Sequence, residues 1–192
     1  MKRFNVAGLL LAAGGGARLG TPKALVEYEG ERLVDRGVRL LETGGCHPVV
    51  VVLGAATVPV RGAVVVQNPS WREGMGSSLR LGLAALPPGA EAVVVALVDQ
   101  PFVTAEAVAA LIASGGEVAV ATYGGARRNP VLFSRGHFAE VAGMAVGDVG
   151  ARPFLKAYPE LITDVPCDGL GSPADIDTPE DLKLLSVSGE LE

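Results

Sequence analysis

The chain has 192 residues, a formal net charge of −5 and two cysteines, Cys46 and Cys167. This length favours one α/β domain, which we expect to span residues 1–190. The negative net charge argues against nonspecific nucleic-acid binding, and the apolar runs are too short to cross a membrane. Two cysteines make neither a disulfide framework nor a zinc motif. The first residues lead into an apolar run without the pattern of a secretory signal, so we expect a reduced, cytoplasmic protein that contacts no membrane.

Apolar runs and segments of helical periodicity alternate along the chain. In chain order they predict a strand over 6–12, a helix over 33–42, strands over 48–53 and 64–67, a helix over 77–86, a strand over 92–98, a helix over 104–114 capped by Thr104, strands over 117–122 and 129–133, helices over 136–141 and 150–157, a strand over 161–165 and a helix over 178–185. Such alternation is typical of a three-layer, Rossmann-like α/β domain with a mainly parallel sheet. Ligands of these folds bind beyond the carboxyl ends of the strands, which selects the loops after Ala12, Gln67, Val98 and Val165.

The loop after the first predicted strand is rich in glycine. Gly14, Gly15 and Gly16 stand together, and Arg18 and Lys23 follow. Glycine lets backbone N–H groups approach phosphate oxygens, and two cations can balance a polyphosphate. The segment matches neither the P-loop, which needs Lys-Ser or Lys-Thr after the last glycine, nor the dinucleotide fingerprint, whose third glycine is missing. An ordinary βα turn is the alternative to a polyphosphate loop.

Carboxylates occupy two later loops. Asp99 directly follows the strand predicted over 92–98, where it is placed to hold Mg²⁺ together with ligand phosphates. The alternative is that it caps the next helix or starts a turn before Pro101. Asp175 and Asp177 share one side of an extended segment, so either could be a second metal ligand, although Asp177 also fits a helix start.

The segment over 67–79 contains the only tryptophan, Trp71, and two serines at the start of a predicted helix, Ser77 and Ser78. The serines and the helix N–H groups could hold an anion. Equally, Ser77 could cap the helix while Trp71 packs in the core, and the pattern does not separate these alternatives. Arg128 and Arg152 each lie beside a turn, where they either meet an anionic second substrate or are surface charges.

Taken together, these segments resemble the MobA-like nucleotidyltransferases. The resemblance rests on ordered blocks that cover nearly the whole chain, at residues 12–23, 68–71, 74–79, 99–101, 129–133, 147–152 and 175–182. It implies a Rossmann-like fold of the nucleotide-diphospho-sugar-transferase (GT-A-like) type and a requirement for Mg²⁺. The chain is most similar to the molybdenum cofactor cytidylyltransferases, because Leu-Ala-Ala-Gly accompanies cytidine in that family and Leu-Ala-Gly-Gly accompanies guanosine. Gly16 departs from the family, which usually has serine at this position.

The resemblance implies transfer of CMP from CTP to the terminal phosphate of molybdopterin, with release of pyrophosphate. It also implies a molybdoenzyme as the partner that receives the product. Catalytic roles are expected for Arg18, Lys23 and Asp99, and metal binding for Asp99 and Asp177. The expected nucleotide-binding residues come from the opening loop and the 67–79 segment, namely Leu11, Ala12, Ala13, Gly14, Gly15, Gly16, Lys23, Asn68 and Ser77. The candidates for binding the acceptor are Arg128, Asn129 and Arg152.

Three alternatives remain beside this prediction. The first keeps the reaction and changes the substrates, to GTP with molybdopterin or to a sugar phosphate, methylerythritol phosphate or phospholactate-type acceptor. The second is an NAD(P)-dependent oxidoreductase, which the missing third glycine of the fingerprint disfavours. The third is a non-catalytic partner that delivers the cofactor to a molybdoenzyme.

Overall fold

A computed structural model of the protein describes residues 5–181 and 183. The strands, in chain order, are β1 (Val6–Ala12), β2 (Glu27–Tyr28), β3 (Glu31–Arg32), β4 (Val49–Leu53), β5 (Ala63–Gln67), β6 (Ala92–Leu97), β7 (Val118–Tyr123), β8 (Ala126–Ser134) and β9 (Ile162–Pro166). The α-helices are α1 (Leu33–Thr43), α2 (Met75–Ala84), α3 (Ala105–Ala113), α4 (Phe138–Met144) and α5 (Arg152–Ala157). Short 3₁₀ turns lie between them, two of which, Lys23–Leu25 and Gly147–Val149, border the site described below.

Seven strands form one sheet in the order β5-β4-β1-β6-β8-β7-β9, and β2 pairs with β3 in a small hairpin. Within the seven-stranded sheet, β8 runs antiparallel to both of its neighbours, and the other neighbouring strands pair in parallel. The predicted mainly parallel sheet is therefore confirmed. Because β8 is reversed, its first residues lie at the same edge of the sheet as the last residues of β6.

The sheet is covered on both faces. Every residue of β1 and of β4 is buried, as expected for central strands with helices on both sides. Leu10 of β1 packs in a core with residues of α1 and α3, whereas its neighbour Leu9 packs in a second core with residues of α2, α4 and α5. The alternation of side chains along a strand thus supplies two cores, and the predicted three-layer arrangement is confirmed.

Most predicted elements lie within two or three residues of those in the structure, but the start of α2 differs. This helix begins at Met75, with Gly74 as N-cap residue, and no side chain caps it. Capping by Ser77 is therefore wrong. The cap predicted for α3 is correct, since Thr104 Oγ1 accepts a hydrogen bond from Ala107 N. Residues 179–181 are helical, while residues 182, 184 and 185 of the predicted last helix lie outside the described residues.

Both cysteines are buried. Burial raises the pKa of the Cys46 thiol to about 12 and also raises that of Cys167. Because the thiolate is the reactive form, we expect dithionitrobenzoate to modify the native protein at least about 100-fold more slowly than the denatured protein. Rapid release of one equivalent of the chromophore from native protein would contradict this.

Among the described residues, no helix is both long and apolar enough to span a membrane.

Candidate active site

A cavity of about 600 Å³ opens at the carboxyl ends of the parallel strands. Five of the residues predicted to bind nucleotide or metal or to act in catalysis line it, namely Leu11, Ala13, Gly14, Lys23 and Asp99. The rest of the lining comes mainly from the segment after β5, the start of α2 and the end of β6, namely Trp71, Arg72, Gly74, Met75, Ser78, Leu97, Val98 and Asp148. The loops after β1, β5 and β6 therefore meet at one site, as the strand order predicts.

One lysine joins two carboxylates at the edge of this cavity. Lys23 Nζ lies 2.6 Å from Asp99 Oδ2 and 2.5 Å from Asp177 Oδ1. The side chains of Lys23 and Asp99 are only 18% and 21% exposed, so the pair is largely shielded from water. Arg18 lies further out, with its Nη2 3.5 Å from Asp177 Oδ2 and its side chain 68% exposed. The residues expected to bind metal and phosphate thus contact one another directly.

The cluster around Lys23 contains more carboxylates than cationic side chains. Burial raises the pKa of the Asp99 carboxyl, and the neighbouring Asp175 and Asp177 raise it further against the lowering effect of Lys23. Burial alone would lower the pKa of Lys23, but its hydrogen bonds to Asp177 and Asp99 outweigh this and raise it. The main cause therefore differs, burial for Asp99 and contact with carboxylates for Lys23, and in both groups the neighbouring carboxylates favour the protonated form.

Asp177 reaches the cluster because residues 171–177 lie across the loop that follows β6. Ile176 N donates to Asp99 O at 2.7 Å, and Ser172 N donates to Phe102 O at 3.0 Å. The buried Gln100 side chain donates from Nε2 to Asp175 Oδ1 at 2.8 Å and to Pro173 O at 3.2 Å. These bonds hold Asp175 away from Lys23 and leave Asp177 as the carboxylate that faces Asp99 across the ammonium.

Replacing Gln100 with leucine is expected to loosen this segment. Two partly buried hydrogen bonds are lost, which costs about 1–3 kcal/mol and lowers Tm by several degrees. If Asp177 holds a cation, the Mg²⁺ concentration for half-maximal activity should also rise, by about threefold or more. Gln67→Leu is the matched control, because Gln67 Nε2 also donates two hydrogen bonds, but to the carbonyls of Gly54 and Ala56 rather than to a carboxylate. An equal rise in both variants would contradict a positioning role for Gln100.

The glycine loop folds back on itself at Gly16. This residue has φ +59°, and its carbonyl accepts hydrogen bonds from Leu19 N and Gly20 N, each at 2.9 Å. A Cβ on Gly16 would overlap the carbonyl oxygen of Thr21. The glycine therefore permits a tight return of the chain that brings Lys23 back beside β1, and a serine would not fit this loop conformation.

Trp71 connects the glycine loop to the segment after β5. A Cβ on Gly15 would lie 3.0 Å from Trp71 Cη2, so the indole ring rests on the backbone of the loop. The Arg72 guanidinium lies over the same ring, 4.5 Å from its centroid. Trp71 is half-buried and lines the cavity, so the alternative that placed it in the core is wrong.

Asn68 and Ser77 make their side-chain hydrogen bonds within the protein. Asn68 Nδ2 donates to Ser77 Oγ and Ser78 Oγ, each at 2.9 Å, and Ser77 Oγ donates to Gly74 O at 2.8 Å. These bonds fix the first turn of α2 beside the cavity. Since no side chain caps α2, its first N–H groups are available to an anion there.

Comparison with known proteins assigns the chain to a family. The sequence matches the MobA-like NTP transferase domain over residues 8–162. The chain belongs to this family.

A protein of Paenarthrobacter nicotinovorans called nicotine blue oxidoreductase is 38% identical over 94% of this chain and 96% of its own length. A probable molybdenum cofactor guanylyltransferase of Opitutus terrae is 35% identical over 52% of this chain and 50% of its own. The crystal structure of Rv0371c from Mycobacterium tuberculosis superposes with a TM-score of 0.83 at 30% identity and covers 95% of this chain and 98% of its own. A complex of Rv0371c with manganese is also known, at a TM-score of 0.76 and 28% identity over 95% of this chain and 97% of that one.

The three acceptor candidates neither line the cavity nor contact Lys23. Arg128 and Asn129 are near the start of β8, which places them at the carboxyl edge of β6, and Arg128 is exposed. Arg152 is exposed at the first residue of α5. None of the three lines the cavity as described, so a role toward the acceptor stays a prediction.

Asp148 lines the cavity but is not among the site residues predicted from the sequence. A Cβ on Gly74 would lie 2.6 Å from Asp148 Oδ1, which shows how closely the 147–148 turn approaches the start of α2. The block over 147–152 resembles the family, but its sequence pattern favours Arg152 as the site residue. The acidic residue between two glycines, Gly147 and Gly150, was the available signal.

The donor set of the cluster fits a divalent cation. Asp99 and Asp177 present oxygens to one point, and the Lys23 ammonium at that point demonstrates that a positive charge is held there. Among residues 5–181 and 183, no group of three His, Cys, Asp or Glu could hold a metal by itself. Mg²⁺ and Mn²⁺ are suited to such a place, where two carboxylates are completed by phosphate oxygens of a ligand.

Proposed function

We propose that the protein transfers CMP from CTP to the terminal phosphate of molybdopterin, releases pyrophosphate and requires Mg²⁺. Nucleotidyl transfer is the reaction of the family to which the chain belongs. The observation that carries the proposal is the cluster of Lys23, Asp99 and Asp177 between the glycine loop and the start of α2. It combines a phosphate-binding cation, two carboxylates and a helix N-terminus at one cavity, as the transfer of a charged phosphoryl group requires.

The proposed reaction is an in-line displacement at the α-phosphorus of CTP. An oxygen of the acceptor phosphate forms the new bond to phosphorus, and the bond to the bridging oxygen of pyrophosphate breaks. The acceptor oxygen is already anionic, so no residue has to remove a proton. This agrees with the placement of His47 and His137, neither of which lines the cavity. Catalysis then consists of positioning and charge stabilisation.

Each part of the site has a distinct role in this proposal. Backbone N–H groups of the glycine loop and of the first turn of α2 hold the phosphates, and Arg18 and Lys23 balance the charge on phosphorus and on departing pyrophosphate. Asp99 and Asp177 hold Mg²⁺, which neutralises charge on the reacting phosphates when bound. Asp175, fixed by Gln100, completes the negative surroundings without contacting Lys23.

The choice of substrates rests on two further observations. Leu11 and Ala13 of the cytidine-associated opening motif line the cavity, which supports CTP. The relative from Opitutus terrae is named for the molybdenum cofactor, which supports that acceptor. Because its name specifies guanylyl transfer, the nucleotide is the first specificity to be tested.

Two measurements test the proposal. Thermal unfolding with Mg²⁺ and each of CTP, GTP, ATP and UTP should give a shift that is largest with CTP, because a ligand of the native state raises Tm. Pyrophosphate release should then require CTP, Mg²⁺ and molybdopterin together. Release with GTP but not CTP would correct the nucleotide, and release only with a sugar phosphate or related acceptor would correct the acceptor.

An oxidoreductase is the second candidate, because the relative from Paenarthrobacter nicotinovorans carries that name. Oxidation of NADH or NADPH in the presence of nicotine blue tests it directly. Turnover of nicotine blue without pyrophosphate release in the first assay would favour the oxidoreductase. A stable complex with a molybdoenzyme and no turnover in either assay would instead favour a cofactor-delivery partner.

A further inference from the structure

We propose that Lys23 closes the cation position between Asp99 and Asp177 until a polyphosphate draws its ammonium away. The divalent cation then enters together with the nucleotide and binds only weakly without it. This inference rests on the proposed function in one respect, the assignment of Asp99 and Asp177 as the cation ligands.

The ammonium fills the space that the cation needs. Lys23 Nζ is 2.6 Å from Asp99 Oδ2 and 2.5 Å from Asp177 Oδ1, so one nitrogen contacts both carboxylates. Mg²⁺ binds oxygens at about 2.0–2.1 Å, so an ion held by these same two oxygens would take nearly the position of the ammonium. Two positive charges cannot share that gap, and one of them has to leave.

The position of Lys23 is set by the backbone. Lys23 opens a 3₁₀ turn over Lys23–Leu25, and its N–H donates to Gly14 O at 3.4 Å. Its side chain therefore starts at the glycine loop and reaches the carboxylates across the cavity edge. Arg18 does not take this place, because it contacts Asp177 from outside at 3.5 Å.

A bound polyphosphate supplies the alternative partner. Lys23 and Gly14 both line the cavity, and so do the first residues of α2, Gly74 and Met75. Phosphates held by the loop and by this helix N-terminus would lie within reach of the lysine side chain, and they carry more negative charge than the two carboxylates. When the ammonium moves to the phosphates, Asp99 and Asp177 lose their partner. Phosphate oxygens then become available to complete the coordination of a cation. Nucleotide and cation thus bind with positive coupling, and each raises the affinity for the other by the same factor.

The test measures Mn²⁺ binding without nucleotide, from the electron paramagnetic resonance signal of free Mn²⁺. Lys23→Met removes the ammonium and keeps the length of the side chain, and Lys23→Gln is a second neutral variant should the first fail to fold. We expect at least a tenfold tighter Kd for Mn²⁺ in these variants than in the wild type. Lys23→Arg keeps a cation in the gap and should bind Mn²⁺ as weakly as the wild type.

Lys156→Met is the matched control, because it makes the same charge change at an exposed position of α5. It should leave the Kd for Mn²⁺ within about twofold of the wild type, as expected for a charge that lies outside the site. Thermal unfolding in Mn²⁺ gives a second readout, since only the neutral Lys23 variants should gain Tm. Equal Mn²⁺ affinity in wild type and Lys23→Met, or an equal gain in Lys156→Met, would overturn the inference.

The outcome is separable from that of the proposed function. Unchanged Mn²⁺ affinity with intact CTP-dependent pyrophosphate release would remove the role of Lys23 in closing the site and leave the reaction standing. Tighter Mn²⁺ binding in Lys23→Met without any nucleotidyl transfer by the wild type would support the closed site and remove the reaction.

Discussion

Asp99→Asn is expected to lower the rate of nucleotidyl transfer by at least about 100-fold and to leave Tm equal to or above that of the wild type. Asparagine keeps the size of the side chain but loses the charge that would hold the cation and oppose Lys23. Stabilisation by a metal ion amounts to several kcal/mol at the transition state, and each 1.4 kcal/mol changes a rate tenfold. Pyrophosphate release and thermal unfolding of the same preparations measure the two effects.

The expected effect on stability follows from the pKa of Asp99. Burial raises it, so the fold favours the neutral acid over the carboxylate. The stability that this group adds is fully present below its ordinary pKa of 3.8 and is lost as the pH rises through the raised value. Asparagine stays neutral throughout, so the variant avoids this loss at pH 7, while Lys23 keeps Asp177 as its partner.

Asp164→Asn is the control for this substitution. Asp164 pairs with Arg127 at 2.6 Å on the exposed side of β9, and removing such a surface pair costs at most about 1 kcal/mol. It should keep full activity. A large loss of Tm in Asp99→Asn would contradict the stability expectation, whereas activity as high as that of Asp164→Asn would refute the catalytic role assigned to Asp99.

Gly16→Ala is expected to destabilise the protein by about 1–3 kcal/mol and to weaken CTP binding by about tenfold. The substitution places a Cβ at a residue with φ +59° and against the Thr21 carbonyl oxygen. The strain of a left-handed residue accounts for about 1–2 kcal/mol, and the overlap forces the Thr21–Lys23 segment away from its place beside Gly14. Urea unfolding and a CTP titration by calorimetry measure the two effects.

Gly20→Ala separates the strain from the overlap. Gly20 has φ +72° in the same loop, but a Cβ there would meet nothing within 4 Å. It should lose stability through strain alone and bind CTP nearly as tightly as the wild type. If both variants lose CTP affinity equally, the overlap with Thr21 is not what shapes the phosphate loop.

The sequence predicts the sheet better than it predicts the contacts of the site. The run over 6–12 is uninterrupted and apolar, so β1 begins and ends where the pattern indicates. The β2–β3 hairpin was missed, because two strands of two residues each carry no periodicity. The start of α2 was placed too late, since a glycine with φ +108°, Gly74, begins the helix rather than the serines.

The sequence predicts which residues form the site, but it does not predict which of them contact one another. Topology places the loop after β6 beside the glycine loop, and this is enough to bring Asp99 near Lys23. That Lys23 bridges Asp99 and Asp177 depends on contacts across 76 and 154 residues of the chain, which no local pattern contains. Asp148 was missed for the same reason, because its place at the cavity depends on how one turn approaches the start of α2.

The contact between Trp71 and the glycine loop gives the protein an optical reporter of its own. Trp71 is the only tryptophan, and its indole touches Gly15 on one side while a guanidinium lies over the ring. Its emission therefore comes from a single point at the edge of the cavity. Any ligand that shifts the phosphate loop or displaces Arg72 alters the surroundings of that one fluorophore, so binding steps can be followed by stopped flow without a label.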